Sequence, residues 1–127
     1  FEAFAKRSLD AKNALIAFIE KAHQQGKTIV GLGASTKGNV LLQYCGLTKS
    51  HLPVIGEVNT EKYGAFTPGT NIPIVDEEAM MALNPDYLLV MPWHFRDFFL
   101  RSKKLAKYPL VFPLPTLEVV APRLDAQ

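Results

Sequence analysis

A glycine-rich segment of the chain reads Gly31-Leu32-Gly33-Ala34-Ser35-Thr36-Lys37-Gly38-Asn39. Apolar residues at 28–32 predict a short buried strand before it, and residues 40–45 predict a helix after it that ends at Gly46. A strand-to-helix turn of this kind can hold an anion, because glycines let the backbone approach a ligand and the first amides of the helix point their N–H groups at it. The segment therefore predicts a binding turn at the start of an α/β unit.

Two well-known phosphate-binding motifs do not fit this segment. The dinucleotide motif requires a third glycine where the chain has Thr36, and the P-loop requires Lys and then Ser or Thr where the chain has Asn39 and Val40. Two interpretations stay open, a turn that only packs a helix on a sheet and a phosphate site. The hydroxyl groups of Ser35 and Thr36 and the ammonium of Lys37 favour the phosphate site, because phosphate oxygens accept hydrogen bonds from such donors.

Strands and helices alternate along the rest of the chain. Apolar spacing predicts a helix over residues 2–25, a second strand over 52–58, a short helix over 76–83 and a buried strand over 86–91. Two apolar runs, 110–114 and 116–120, predict a final pair of edge strands, where prolines are tolerated. We therefore expect one α/β domain over residues 1–127, with a Rossmann-like, mostly parallel sheet flanked by helices and a C-terminal pair of edge strands.

Two further segments of the sequence predict local structure. Residues 59–73 are rich in Gly and Pro and predict an irregular loop, and loops of this length in compact domains are usually functional or disordered. After the buried strand, a helix is predicted whose inner side consists of Phe95, Phe98, Phe99 and Leu105, because aromatic residues at helical spacing usually belong to the core.

Ligands bind outside the carboxyl ends of the strands in a parallel α/β sheet, so three segments are expected to meet there: the glycine turn, the end of the second strand and residues 92–94. No catalytic residue is assigned, and the predicted ligand-binding residues are Gly33, Ala34, Ser35, Thr36, Lys37, Gly38, Asn39, Glu57, Asn59, Thr70 and His94.

Two of these residues also have an interpretation that does not involve a ligand. Glu57 lies 24 positions after Gly33, close to where dinucleotide-binding folds place the acid that holds a ribose, but a strand-end glutamate without a ligand fits the sequence equally well. His94 follows a buried strand, and it is either a hydrogen-bonding group of the site or an ordinary surface residue at a helix start.

Composition narrows the possible functions. The chain has 127 residues, a hydrophobic fraction of 48% and a net charge of +2, which fits one globular domain and gives no basic surface for nucleic acid. It contains no apolar run long enough to span a membrane. One cysteine and three dispersed histidines predict neither an internal disulfide nor a metal site, and they fit a cytoplasmic protein. The first residue is Phe1 rather than Met, which suggests a piece of a longer chain.

Three separated motifs occur in order: residues 31–46, residues 63–74, and Pro85-Asp86-Tyr87 with Pro92-Trp93-His94-Phe95. Together they resemble the C-terminal domain of S-adenosylmethionine-dependent sugar C-methyltransferases, which act on nucleotide-linked keto-deoxysugars. The chain departs from that family at Leu32, where an aromatic residue is typical, and at Gln43, where Asn is typical.

The resemblance implies a three-part enzyme, in which a zinc-binding N-terminal domain and a central methyltransferase domain accompany this domain. Zinc, S-adenosylmethionine and the acid/base residues would belong to those other domains, and the present domain would close over the nucleotide-sugar and be inactive alone. Two alternatives remain open: a stand-alone nucleotide-binding module for NAD or a coenzyme A derivative, and a degenerate Rossmann domain with a purely structural role.

Overall fold

The computed structural model describes residues 2–123, and their side chains from residue 6 onward. The regular elements are α1 (Glu2–Gln24), β1 (Ile29–Leu32), α2 (Thr36–Cys45), β2 (Ile55–Glu57), β3 (Ile74–Asp76), α3 (Glu77–Met81), β4 (Tyr87–Val90), α4 (Arg96–Leu100), β5 (Leu110–Phe112) and β6 (Glu118–Val120). Two short 3₁₀ helices, Thr60–Lys62 and Trp93–Phe95, follow β2 and β4.

The strands form one six-stranded sheet in the order β3-β2-β1-β4-β5-β6. All neighbours are parallel except β5 and β6, which form an antiparallel pair at the edge. Strand β1 lies in the middle, where Gly31 pairs with Ile55 of β2 on one side and with Leu89 of β4 on the other. The strand order reverses between β1 and β4, which is where Rossmann-like sheets bind their ligands. The predicted α/β fold with its C-terminal edge pair is confirmed.

The sheet is buried on both faces. Side chains alternate along a strand, so Leu88 and Val90 of β4 pack on the face that carries Met80 of α3, whereas Leu89 packs on the face covered by α1 and α2. A strand with helices on both sides needs apolar residues at every position. This requirement explains why β4 reads as a continuous apolar run.

Helix α2 ends at Gly46 as predicted, but it begins at Thr36, four residues before the predicted start. Ser35 is the N-cap, and its Oγ accepts a hydrogen bond from the N–H of Gly38. Gly46 ends the helix in the left-handed conformation (φ 67°), which glycine adopts without a steric penalty. Cys45, in the last turn, is buried, and burial raises the pKa of its thiol, so it behaves as a small apolar residue.

The segment from the second to the third strand differs from the prediction. Strand β2 pairs over only three residues of the predicted seven, and β3, which the sequence does not predict, lies at the edge of the sheet over Ile74–Asp76. Asp76 is the N-cap of α3, because its Oδ1 accepts a hydrogen bond from the N–H of Ala79 at 2.7 Å. The helix ends at Met81, two residues before the predicted end.

The prediction of an aromatic inner side for the helix after β4 is wrong for two of the four residues. Phe99 and Leu105 are buried, whereas the side chains of Phe95 and Phe98 are 58% and 67% exposed. Helix α4 has only five residues, so a single turn packs against the sheet and the neighbouring aromatic rings point away from it. Residues 101–107, four of which are Lys or Arg, follow this helix as turns and are not part of it.

Within residues 2–123, each helix is either too short or too polar to cross a membrane.

The packing of α1 predicts that two of its leucines contribute differently to the free energy of unfolding. Leu15 is 1% exposed and packs in the core, whereas Leu9 is 48% exposed on the same helix. Leu15→Ala should lower the free energy of unfolding by about 2–5 kcal/mol, because it removes buried methyl groups and leaves a cavity. Leu9→Ala is the matched control and should cost less than about 0.5 kcal/mol. Urea unfolding followed by circular dichroism measures both, and equal losses would contradict the packing described here.

Candidate functional site

The glycine turn lies directly against the segment that follows β4. Gly33 has a φ of +84°, and a Cβ atom at this position would lie 2.7 Å from Cδ of Pro92. Gly38, in the first turn of α2, is similarly close to Met91, because a Cβ atom there would lie 2.7 Å from the Cβ atom of Met91. The two glycines therefore let β1, α2 and the end of β4 meet, as the sequence predicts for the first and third of the three segments.

The first turn of α2 presents free donors at this edge of the sheet. The N–H groups of Thr36 and Lys37 have no acceptor within the helix, because they belong to its first turn. Among residues 2–123 no other group accepts a hydrogen bond from either of them. Only the N–H of Gly38 is taken, by the Ser35 side chain. The positive end of the helix dipole is therefore open to an anion.

Glu57, at the end of β2, is occupied by the backbone. One carboxylate oxygen, Oε1, accepts the N–H of Ala34 at 2.7 Å, and the other, Oε2, accepts the N–H groups of Val58 at 3.0 Å and Asn59 at 2.8 Å. The side chain is buried, and three of the roughly four acceptor positions of a carboxylate are used. Glu57 therefore joins β2 to the glycine turn.

Lys62 reaches the same turn from the short 3₁₀ helix after β2. Its Nζ donates a hydrogen bond of 2.7 Å to the carbonyl oxygen of Ala34, which is 28 residues away in sequence. The N–H and the C=O of Ala34 are thus held by side chains of opposite charge, Glu57 and Lys62. An ammonium has three donors, so two donors of Lys62 remain for a ligand.

The loop after this 3₁₀ helix is fastened to α2. Asn39 donates from Nδ2 to the carbonyl of Pro68 at 3.2 Å and accepts at Oδ1 from the hydroxyl of Thr70 at 3.3 Å. Gln43, one turn later, donates to the same Pro68 carbonyl at 2.7 Å. The buried Thr70 hydroxyl also contacts that of Thr67. Asn39 and Thr70 therefore position a loop at the site.

Two clefts flank the glycine turn. The first, which we call the loop cleft, has a volume of about 240 Å³ and is lined by Ala34, Ser35, Thr36, Asn39, Leu42, Ile55, Lys62, Thr67, Pro68, Ile74 and Met91. The second, the aromatic cleft, has a volume of about 360 Å³ and is lined by Leu32, Gly33, Ala34, Ser35, Glu57, Val58, Lys62, Glu77, Pro92, Phe95, Phe98, Phe99, Ser102 and Leu105.

The remaining predicted residues lie around these clefts. Lys37 is exposed and lines neither of them. Asn59 gives its N–H to Glu57, and its side chain caps the 3₁₀ helix by accepting from the N–H of Glu61. His94 is exposed in the second 3₁₀ helix, where its ring lies 4.3 Å from the ring of Phe95, and it too lines neither cleft.

The side chains that line the clefts but were not predicted as site residues include Lys62, Phe95 and Phe98. The only signal for Lys62 is the unusual length of the loop in which it lies. For the two phenylalanines, the helical spacing suggested the core, and nothing local indicates that α4 ends after five residues.

The described part of the chain offers no evident metal ligands. Among residues 2–123, no three or more His, Cys, Asp or Glu side chains are grouped so that they could hold a metal ion. The clefts combine hydrogen-bond donors, apolar walls and the ammonium of Lys62, a combination that is able to hold an anionic, partly apolar ligand.

Comparisons with known proteins identify the family to which the chain is similar. Residues 1–115 match the family model described as the C-methyltransferase C-terminal domain. The chain is also similar to the C-methyltransferase NovU of Streptomyces niveus, with 35% identity over 79 residues. That alignment covers 62% of this chain but only 19% of the relative, so the chain spans about a fifth of the length of that protein.

The hydrogen bonds of Glu57 predict that its two carboxylate oxygens stabilise the turn. Glu57→Gln replaces one acceptor oxygen by an NH₂ group that would face a backbone N–H, so we expect the free energy of unfolding to fall by about 1–3 kcal/mol. Glu61→Gln changes an exposed glutamate four residues away and serves as the control. Thermal or urea unfolding measures both variants. A Glu57→Gln protein as stable as Glu61→Gln would contradict the role of Glu57 in joining β2 to the turn.

Proposed function

The chain belongs to the family of C-methyltransferase C-terminal domains, and we propose that it holds the substrate of an S-adenosylmethionine-dependent enzyme that methylates a carbon of a nucleotide-linked keto-deoxysugar. The observation that carries this proposal is the meeting of three kinds of donor at one edge of the sheet. These are the free N–H groups at the start of α2, the hydroxyls of Ser35 and Thr36, and the ammonium of Lys62.

Such a set of donors suits a diphosphate. Phosphate oxygens accept hydrogen bonds from backbone N–H groups at a helix start, where the dipole adds a favourable interaction. An ammonium adds a charge-assisted hydrogen bond, which is stronger than a bond between neutral groups. Lys62 lines both clefts, so its ammonium is available from either side of the turn.

The proposed contribution of the domain to methyl transfer is positioning. Methylation of a carbon requires removal of a proton beside a ketone and attack of that carbon on the sulfonium methyl, which S-adenosylmethionine supplies when bound. Binding energy at the diphosphate, far from the reacting carbon, can hold that carbon in line for the attack. We propose that the acid/base groups, S-adenosylmethionine and zinc lie in parts of the protein outside this chain.

Two features argue against a dinucleotide site on this chain. Thr36 stands where the dinucleotide motif has its third glycine, which lets the helix pack closely on the strand, so the chain lacks one of the three glycines that define the motif. Glu57 stands close to the usual position of the ribose-binding acid, but backbone N–H groups occupy three of its acceptor positions. These features favour the nucleotide-sugar proposal over a stand-alone module that binds NAD.

Calorimetric titration of the chain tests the proposal. We expect saturable binding of a thymidine- or uridine-diphosphate sugar, and no binding of NAD or S-adenosylmethionine with a Kd below about 10 μM, which corresponds to roughly 7 kcal/mol. Mixed with S-adenosylmethionine and a keto-sugar nucleotide, the chain alone should transfer no methyl group. Tight NAD binding without sugar-nucleotide binding would support the alternative module, and no binding of any of the three would support a purely structural domain.

A comparison of lysines tests which cation faces the phosphates. Lys62→Met keeps the apolar stem and removes the ammonium, and we expect it to weaken nucleotide-sugar binding by about 1.5–3 kcal/mol. Lys37→Met should cost less, because this side chain lies at the helix start but lines neither cleft. Lys49→Met, at an exposed position, is the control. The affinities come from calorimetry, and an unchanged affinity of Lys62→Met would rule out this phosphate site.

A further inference from the structure

The two clefts lie next to each other at the edge of the sheet and share part of their lining. Ala34, Ser35 and Lys62 line both of them, so the glycine turn is their common wall. The loop cleft includes Leu42 and Met91 from the core on the α1/α2 face, and the aromatic cleft includes Phe99 and Leu105 from the core on the opposite face. A ligand that fills both clefts must therefore cross the turn at Lys62.

The clefts differ in chemistry. The aromatic cleft presents Phe95 and Phe98, whose side chains are more than half exposed, together with Val58, which is 71% exposed. Large apolar side chains that line a concave surface and face solvent are unusual unless something covers them. The loop cleft instead presents the polar side chains of Thr36, Asn39 and Thr67 beside its apolar floor. Asn39 and Thr67 also form hydrogen bonds within the protein, and the amide of Asn39 keeps a second N–H donor.

The two carboxylates that line the aromatic cleft already interact with other groups of the protein. Glu57 accepts hydrogen bonds from three backbone N–H groups, and Glu77 forms a salt bridge of 3.1 Å with Lys104. Lys62 lies where the two clefts join and keeps two donors free. The surface thus has an apolar aromatic end, a cationic middle and a polar end.

We infer that the aromatic cleft binds the nucleobase of the sugar nucleotide, with the diphosphate at Lys62 and the start of α2 and the sugar in the loop cleft. This inference rests on the proposed function and adds the direction in which the substrate lies. A base has two π faces and stacks on aromatic side chains, whereas a sugar ring needs hydrogen-bond partners for its hydroxyls. Each cleft alone is near or below the lower end of the size range for small-molecule sites, about 300–1,000 Å³, so the whole ligand needs both.

The inference also explains the exposure of Phe95 and Phe98. Both rings lie beside Pro92, which directly contacts the glycine turn at Gly33, so they adjoin the proposed phosphate position. Another part of the intact protein is the alternative cover for these rings. A bound base and another part of the protein can be distinguished, because only a bound base makes the affinity for small ligands depend on Phe95 and Phe98.

The test is carried out on the intact protein with four probes: uridine diphosphate, thymidine diphosphate, glucose 1-phosphate and inorganic pyrophosphate. For the double variant Phe95→Ala/Phe98→Ala, calorimetry should show Kd values for the two nucleoside diphosphates that are about 5- to 100-fold higher. The Kd values for glucose 1-phosphate and pyrophosphate should stay unchanged, because neither probe has a base. Lys62→Met should weaken the binding of all four probes.

Phe66→Ala is the matched control, because Phe66 is 61% exposed and lines neither cleft. It should leave every affinity unchanged, and thermal unfolding of all variants checks that they fold.

Three results would overturn the inference. Unchanged nucleotide affinity in the double variant, with nucleotide-sugar binding intact, would place the base elsewhere and leave the proposed function standing. A lower melting temperature of the double variant with unchanged affinities would identify another part of the protein as the cover. A weaker affinity for glucose 1-phosphate but not for the nucleotides would reverse the direction of the ligand. Failure of the unaltered protein to bind any nucleotide-sugar would instead remove the proposed function itself.

Discussion

The geometry of the site depends on one residue, Ala34, whose backbone is held on both sides by charged side chains. Its N–H is bound by the carboxylate of Glu57 and its C=O by the ammonium of Lys62. Hydrogen bonds to charged groups are stronger than neutral ones, and Glu57 is largely removed from water, so its bond is weakened little by solvent. These two bonds therefore hold the turn, and with it the start of α2, in place.

Elements with a periodic pattern or a clear end signal could be predicted from sequence. Helix α1 has a helical apolar stripe, β4 is apolar throughout because it is buried on both faces, and Gly46 ends α2 as glycine commonly does. Strand β3 could not be predicted in this way, because three residues are too few to show alternation. It exists because Ile55 and Glu57 of β2 pair with Ile74 and Asp76, a contact between segments distant in sequence.

Some features of the candidate site could likewise be predicted from local sequence, whereas others depend on contacts between residues distant in sequence. The convergence of the glycine turn with Pro92 follows from local sequence and from the topology of parallel sheets. The bond from Lys62 to Ala34 spans 28 residues and leaves no local trace. The position of Glu57 could be predicted from the motif spacing, but its hydrogen bonds could not, because the same carboxylate can bind a ribose or three backbone N–H groups.

Residues 58–73 connect two parallel strands without an α-helix, and this connection has structural support of its own. Backbone hydrogen bonds cross it from Gly64 to Ile74 and from Thr67 to Ile72, and Phe66 bridges Pro73. Loops vary among related proteins more readily than the elements they join, whereas changes within the sheet disturb its packing. Insertions or substitutions in this connection can therefore reshape the outer wall of the loop cleft in descendants of the protein while β1 and α2 stay in place. Selection has, in this fold, a separate and tolerant part of the chain with which to alter the shape of that cleft.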